Sequence, residues 1–155
     1  FTHVLIECRC IAVSDLATVF AAAKQMLASG GQLIVNEPVL SPGSPLPKTI
    51  GRMVAETRLN EVVQQRTAME IGIEITTAGF DMIHTSSEPE VIERLHQKMK
   101  QISMMLKMVL RFSSFDPYSE EFPFKKKDLL KAFDEVKTAL GDETFAWHSW
   151  RATPN

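Results

Sequence analysis

The sequence has few of the residues that would indicate a disulfide framework, a zinc site or a membrane span. Its 155 residues include only two cysteines, Cys8 and Cys10, and no C-x-x-C or Cys/His spacing that suggests zinc. Two positions apart, on or just after a strand, these cysteines cannot easily bridge to each other. No run of eighteen apolar residues occurs, so no membrane-spanning helix is predicted. We therefore expect a protein of a reducing compartment, the cytoplasm.

An excess of charge of either sign is also lacking. The 17 basic and 19 acidic residues leave a formal charge of −2, which predicts no attraction to nucleic acid or to an anionic membrane. The one basic cluster, three lysines at 125–127, is more typical of a solvated helix start. With 45% hydrophobic and 23% charged residues, the chain has an ordinary globular composition, and we expect residues 1–155 to form one domain.

The first forty residues predict a strand, a helix and a second strand. An apolar strand at 1–7 is followed by a helical pattern over 15–28, a Gly-Gly turn at 29–31 and a strand at 32–36 that we expect to stop at Pro38. Such βαβ units normally occur in sheets of five or more strands, so the sequence is expected to begin in the middle of a sheet. The helical face comprises Leu16, Val19, Phe20, Ala23, Met26 and Leu27.

The rest of the chain predicts a loop, further helices and two more strands. Residues 38–50 hold four prolines and predict a loop or an extended lid. Ser87, followed by an acid and Pro89, predicts the N-cap of a helix that ends near Arg111. Strands at 80–84 and 145–152 can pair antiparallel. The remaining predictions are two helical pieces within 50–78, a helix over 127–140 and a turn at Gly141 and Asp142.

Four segments carry a family resemblance. Residues 1–15 resemble the fourth strand and following turn of class I S-adenosylmethionine-dependent methyltransferases. The segment M-L-A-S-G-G-Q-L-I-V-N-E at 26–37 is similar to that family's L-K-P-G-G-x-L-x-x-x-D/E, and T-A-G-F at 77–80 to its A-G-F before strand six. Residues 145–152 fit its last strand. The chain therefore resembles strands four to seven of that family.

The resemblance implies an α/β fold, the C-terminal half of a Rossmann-like methyltransferase sheet with a helical insertion before the last strand. It implies S-adenosylmethionine as cofactor and methyl transfer to a small or medium-sized acceptor. The family's glycine-rich first turn and the acidic end of its second strand have no counterpart here, and Thr2 replaces the usual Asp. We therefore expect a missing N-terminal half, or a second polypeptide, to cover the strand at 1–7. The alternative is a catalytically inactive, methyltransferase-like protein-interaction module.

Candidate site residues cluster after the first strand. In the family this edge faces the reactive methyl group, so Glu7 is expected to contact the cofactor and to orient or deprotonate the acceptor. Cys8 is expected beside the cofactor and Cys10 beside the acceptor. The alternatives are that both cysteines are small buried hydrophobic residues and that Glu7 caps the next turn.

Other candidate site residues lie further along the chain. Glu37, ending the second strand, can bind the acceptor or hydrogen-bond the proline-rich loop. Met104 and Met108 can line the acceptor pocket as part of a lid, because methionine adapts to variable shapes, or pack in the core. His84 and His148 lie on neighbouring predicted strands without an evident third ligand. They are expected to be structural, and no metal site is predicted.

Overall fold

The computed structural model describes residues 1–8, 10–61, 63–114, 116–120 and 122–155. Its strands and helices follow one another in the order that the periodicity predicts, with two short 3₁₀ turns at Cys10–Ala12 and Arg58–Glu61. The elements in chain order are β1 (His3–Glu7), α1 (Leu16–Met26), β2 (Gln32–Leu40), α2 (Lys48–Glu56), α3 (Ala68–Thr77), β3 (Phe80–Ser87), α4 (Pro89–Phe112), α5 (Lys126–Gly141) and β4 (Phe145–Pro154).

The strands form one mixed sheet in the order β1-β2-β4-β3. β1 and β2 are parallel and joined through α1, which confirms the predicted βαβ unit. The last strand, β4, inserts between β2 and β3 and runs antiparallel to both. Because α4 and α5 precede β4, the predicted α/β sheet with a helical insertion before its last strand is confirmed.

The main core lies between one face of the sheet and the helices α1 and α3. Successive β2 side chains alternate between the faces, so that Leu33, Val35 and Val39 are buried on the core side. On β4, Trp150 is buried in this core, whereas Trp147 lies three positions away and is only half-buried. The buried cluster comprises Cys10, Leu16, Phe20, Ala23, Leu33, Val35, Val39, Ile71, Ile75, Phe80, Trp150 and Ala152.

A second, smaller cluster joins α2 to α5 and the residues before it, and in it Met53, Phe124 and Ala132 are buried. Polar contacts reinforce it, since the Glu135 carboxylate accepts hydrogen bonds from the Thr49 backbone N–H and hydroxyl at 2.6 and 2.7 Å. Further polar contacts join these helices: the α2–α5 ion pair Arg52–Asp128 and the α4–α5 contacts of Asp134 with Ser103 and Lys107.

The predicted stop of β2 at Pro38 is wrong, because the strand continues to Leu40. The Asn36 carbonyl accepts a hydrogen bond from the Cys8 N–H at 3.1 Å, so the backbone groups of Asn36 face β1. Backbone groups two positions apart in a strand face the same side, so the nitrogen of Pro38 also faces the side of β1. Because β1 ends at Glu7, opposite Asn36, no β1 residue lies opposite Pro38. Proline therefore removes no ladder hydrogen bond here, and the proline-rich loop shortens to 41–47.

Other boundaries also differ from the predictions. Ser87 belongs to β3, and the N-cap of α4 is Glu88, with Pro89 in the first turn as expected. Gly141 is the last residue of α5 rather than part of a turn, and Met26 is half exposed rather than packed on the helical face. Position 62 of the predicted helical stretch lies outside the described residues. Among the described helices, none is long and apolar enough to cross a membrane.

Candidate functional site

The site is expected where the parallel strands end. β1 and β2 are parallel, and β3 runs in the same direction because both β2 and β3 are antiparallel to β4. Their carboxyl ends therefore meet at one edge of the sheet, which also contains the start of β4. In open α/β sheets, ligands bind beyond this edge.

The loop after β1 turns sharply at this edge. Glu7 is exposed, and the next residue, Cys8, has a left-handed backbone with φ of 51°. The chain then enters a 3₁₀ turn and reaches α1, whose N-cap residue Asp15 accepts the backbone N–H of Thr18 at 3.0 Å. The loop thus carries Glu7 and Cys8 outward and Cys10 back into the core.

Two charged side chains hold this loop in place. Glu37 is fully buried, and its Oε1 accepts the backbone N–H of Cys10 at 3.0 Å. Arg66 donates to the backbone carbonyls of Cys10, Val13 and Ser14, the last two at 2.6 and 2.9 Å. Glu37 therefore bonds the loop after β1 rather than the proline-rich loop, and its expected contact with an acceptor stays a prediction.

The environment of both thiols keeps them protonated. Burial, assisted by the nearby Glu37 carboxylate, raises the pKa of the Cys10 thiol far above its usual range. Burial and the charges of Glu37 and Glu7 also raise the pKa of Cys8. Both cysteines are therefore uncharged at neutral pH, whereas a nucleophile or a metal ligand would be a thiolate.

We therefore expect slow alkylation of the native protein by iodoacetamide at neutral pH. The rate at Cys8 should rise only as the pH passes above the ordinary thiol range, and Cys10 should react only after unfolding, because its side chain is buried. Mass spectrometry of digested samples measures both sites, with urea-unfolded protein as the control in which both react. Rapid alkylation of native Cys10 at neutral pH would contradict this description.

Two neighbouring cavities flank the end of the sheet on the side of α3. One of about 450 Å³ lies among the end of β2, the loop at Ser41 and Pro42, and the start of α3. The other, of about 440 Å³, lies between α3 and the strands β3 and β4. His148 lines both cavities. Its Nε2 atom lies 2.9 Å from the Thr85 hydroxyl oxygen. Burial lowers the pKa of its imidazole.

The structure brings together only part of the predicted site. Glu7, Cys8, Cys10 and Glu37 share the loop region after β1, whereas Met104 and Met108 lie on α4 with 62% and 55% of their surface exposed. This exposure contradicts the alternative that these two methionines pack in the core. Their role in a lid stays a prediction.

Of the two histidines expected to be structural, His148 has contacts within the protein and His84 is exposed. His148 contacts Thr85 and lies 4.8 Å from the Trp150 ring, whereas His84 is exposed on β3. Within the part of the chain that the structure describes, no group of three or more His, Cys, Asp and Glu residues could hold a metal.

Arg66 is a site-building residue that sequence reasoning missed. It directly precedes Thr67, which forms a capping box with Glu70: the Thr67 N–H donates to Glu70 Oε2 at 2.7 Å, and the Glu70 N–H donates to Thr67 Oγ1 at 3.3 Å. The Thr-x-x-Glu pattern is readable in the sequence and fixes the start of α3. This pattern places Arg66 just before a helix, but it does not indicate the hydrogen-bond partners of Arg66, which are 52 to 56 positions away in the sequence.

Solved structures resemble this fold. Phosphoethanolamine N-methyltransferase 2 from Haemonchus contortus, in complex with S-adenosyl-L-methionine, matches 99% of this chain with a TM-score of 0.68 and 13% identity. A cyclopropane synthase from Mycobacterium tuberculosis matches 97% with a TM-score of 0.68 and 11% identity. A geranyl diphosphate methyltransferase in complex with S-adenosylmethionine matches 99% with a TM-score of 0.62 and 13% identity.

The chain has the fold of one part of a class I methyltransferase. It spans 33%, 54% and 51% of those three structures, respectively, which is consistent with the C-terminal half that its motifs predict. At these identities the likeness concerns the fold alone. No protein-family model matches the sequence, and no curated protein sequence matches it significantly.

Proposed function

We propose that the chain forms the C-terminal half of an S-adenosylmethionine-dependent methyltransferase that acts on a small or medium-sized acceptor. The observation that carries this proposal is the sheet order β1-β2-β4-β3 with its inserted antiparallel strand. Methyltransferase structures match that arrangement over nearly the whole chain, and two of the three described above hold S-adenosylmethionine. The four sequence motifs, in the family's order, add independent support.

The residues at the end of β1 fit one side of this cofactor. S-adenosylmethionine carries positive charge on its sulfonium and amino groups, and the exposed Glu7 carboxylate at the sheet edge complements it. The small, uncharged thiol of Cys8 permits close approach. Glu7 and Cys8 would hold the cofactor from this side, and a further segment would supply the groups for its carboxylate, ribose and adenine.

The bound cofactor would supply an electrophilic methyl group, and the residues of this chain would position the reaction. In such an in-line displacement, alignment of the acceptor contributes most of the rate enhancement. Glu37 and Arg66 act as positioning residues, because they hold the loop that follows Glu7 and Cys8. Glu7 orients the acceptor or removes its proton.

The outer edge of β1 is the expected docking position for the missing half. β1 is a parallel strand with a single partner, β2, among the described residues, and Leu5 is 58% exposed. Parallel strands are normally covered on both faces, and bare edges promote aggregation. A further strand, from an upstream segment or a second polypeptide, would pair with this edge.

The exposed apolar side of α4 favours a second candidate, a catalytically inactive interaction module. Met104, Met105, Met108, Val109 and Phe112 are exposed on this helix, which is more apolar surface than a solvated face needs. Cofactor binding separates the two candidates, since an interaction module requires none.

Replacing Glu7 with glutamine tests the proposed cofactor contact in the assembled protein. We expect S-adenosylmethionine affinity to fall by about fivefold, because an exposed charge interaction is worth on the order of 1 kcal/mol. The affinity for S-adenosylhomocysteine, which lacks the sulfonium charge, should fall less. Calorimetry measures both ligands.

Glu90→Gln is the matched control for this measurement. The Glu90 side chain is 84% exposed in the first turn of α4. The two variants therefore lose the same charge at different places. Equal effects of the two substitutions, or equal losses for the two ligands, would contradict the role given to Glu7.

A further inference from the structure

The two cavities beside α3 form a continuous trench, which we call the α3 groove. They share Ala68, Met69 and His148 as lining residues. One end reaches the carboxyl edge of the sheet at Val39 and Ser41, and the other extends along α3 toward Thr76. The groove is therefore continuous with the edge at which the proposed methyl transfer takes place.

The sequence of α3 explains why this space remains open. Ala68, Gly72 and Thr76 follow one another at four-residue spacing, so they share a helical face. A Cβ atom added at Gly72 would lie 3.6 Å from Nε1 of Trp150, which places this face close to β4. Small side chains on that face leave the strands beside α3 incompletely covered.

The lining determines the kind of ligand that fits. Neither cavity has an Asp, Glu, Lys or Arg among its described lining residues. The nearby cavity of about 510 Å³ around the start of α4, by contrast, is lined by Glu93 and Glu143. Volumes of about 440 and 450 Å³ suit a small molecule rather than a folded segment of a partner protein.

His148 supplies a polar contact point midway along the groove. Its ring is oriented by the Thr85 hydroxyl at 2.9 Å and by the Trp150 ring, whose centroid is 4.8 Å away. Burial lowers its pKa, so the imidazole is uncharged at neutral pH. An uncharged imidazole forms a hydrogen bond with a neutral ligand and adds no charge to the apolar surroundings.

We propose that the α3 groove binds the apolar body of an uncharged acceptor and that His148 hydrogen-bonds a hydroxyl, carbonyl or amide group of that ligand. The identification of this ligand as the acceptor rests on the proposed methyltransferase function. Binding of an apolar molecule in the groove does not depend on that function, so the two proposals fail separately.

The test is a fluorescence titration with the uncharged probe N-phenyl-1-naphthylamine, without cofactor. Met69→Lys places a charge at the groove and should fold normally, because Met69 is 72% exposed. We expect it to weaken probe binding about tenfold, since an apolar ligand must then desolvate an ammonium group. Met26→Lys makes the same change at a half-exposed methionine on α1, outside the lining of both cavities, and we expect it to leave binding unchanged.

A second variant, Ala68→Phe, fills the groove without adding charge and should also weaken binding. Three results would overturn the groove proposal: equal loss in the two lysine variants, loss only in Met26→Lys, or unchanged binding in Met69→Lys. Probe binding that requires Met69 would support it even if the protein bound no S-adenosylmethionine, in which case only the acceptor assignment would fail.

Discussion

Replacing Phe20 with alanine is expected to lower the free energy of unfolding by about 3 to 5 kcal/mol. Phe20 is fully buried in α1, in the cluster that joins this helix to the sheet and to α3. Alanine removes a ring from a close-packed site that cannot collapse completely, so lost burial and a residual cavity both contribute. Denaturant-induced unfolding followed by circular dichroism measures the change.

Met26→Ala is the control for the Phe20 substitution. Met26 lies on the same helix but is half exposed, so its loss should cost less than about 1 kcal/mol. Comparable losses in the two variants would show that Phe20 does not lie in the main core and that α1 packs differently on the sheet.

Replacing Glu37 with alanine should lower the free energy of unfolding by about 2 to 3 kcal/mol. The substitution leaves the buried N–H of Cys10 without its carboxylate acceptor, and an unsatisfied buried donor costs roughly 1 to 3 kcal/mol in addition to the lost packing. The loop after β1 should also loosen. Hydrogen exchange at the Cys10 amide, measured beside denaturant unfolding, should accelerate.

Glu37→Gln separates the hydrogen bond from the charge. Its side-chain carbonyl can still accept the Cys10 N–H, so we expect at least half of the lost stability to be retained and exchange at Cys10 to stay slow. If alanine and glutamine gave the same loss, or if alanine gave none, Glu37 would not anchor this loop.

Much of the fold was predictable because its signals are local. Three local features indicate an element directly: the helical spacing of apolar residues in α1, Gly79 with φ of +84° just after the end of α3, and Pro89 in the first turn of α4. The end of β2 was not predictable from local signals. Whether proline interrupts a strand depends on which neighbour its nitrogen faces, and that follows from the pairing of β1 with β2.

The candidate site was predictable to a smaller extent. Glu7, Cys8, Cys10 and Glu37 could be grouped because parallel strands end at one edge of the sheet. The anchor Arg66 could not, since its acceptors are backbone carbonyls distant in sequence, which no residue pattern identifies. Met104 and Met108 lie four positions apart, as residues on one helical face do, and only the packing of α4 on α5 shows that they are exposed.

Calorimetric titration with S-adenosylmethionine tests the central claim most directly. The 155-residue chain is expected to bind weakly or not at all, because it carries only the β1 side of the proposed site. The chain together with the upstream half, covalently joined or supplied as a separate polypeptide, is expected to bind in the micromolar range or tighter. Micromolar binding by the 155-residue chain alone would contradict the division of the site, and no binding by the assembled protein would contradict the methyltransferase proposal.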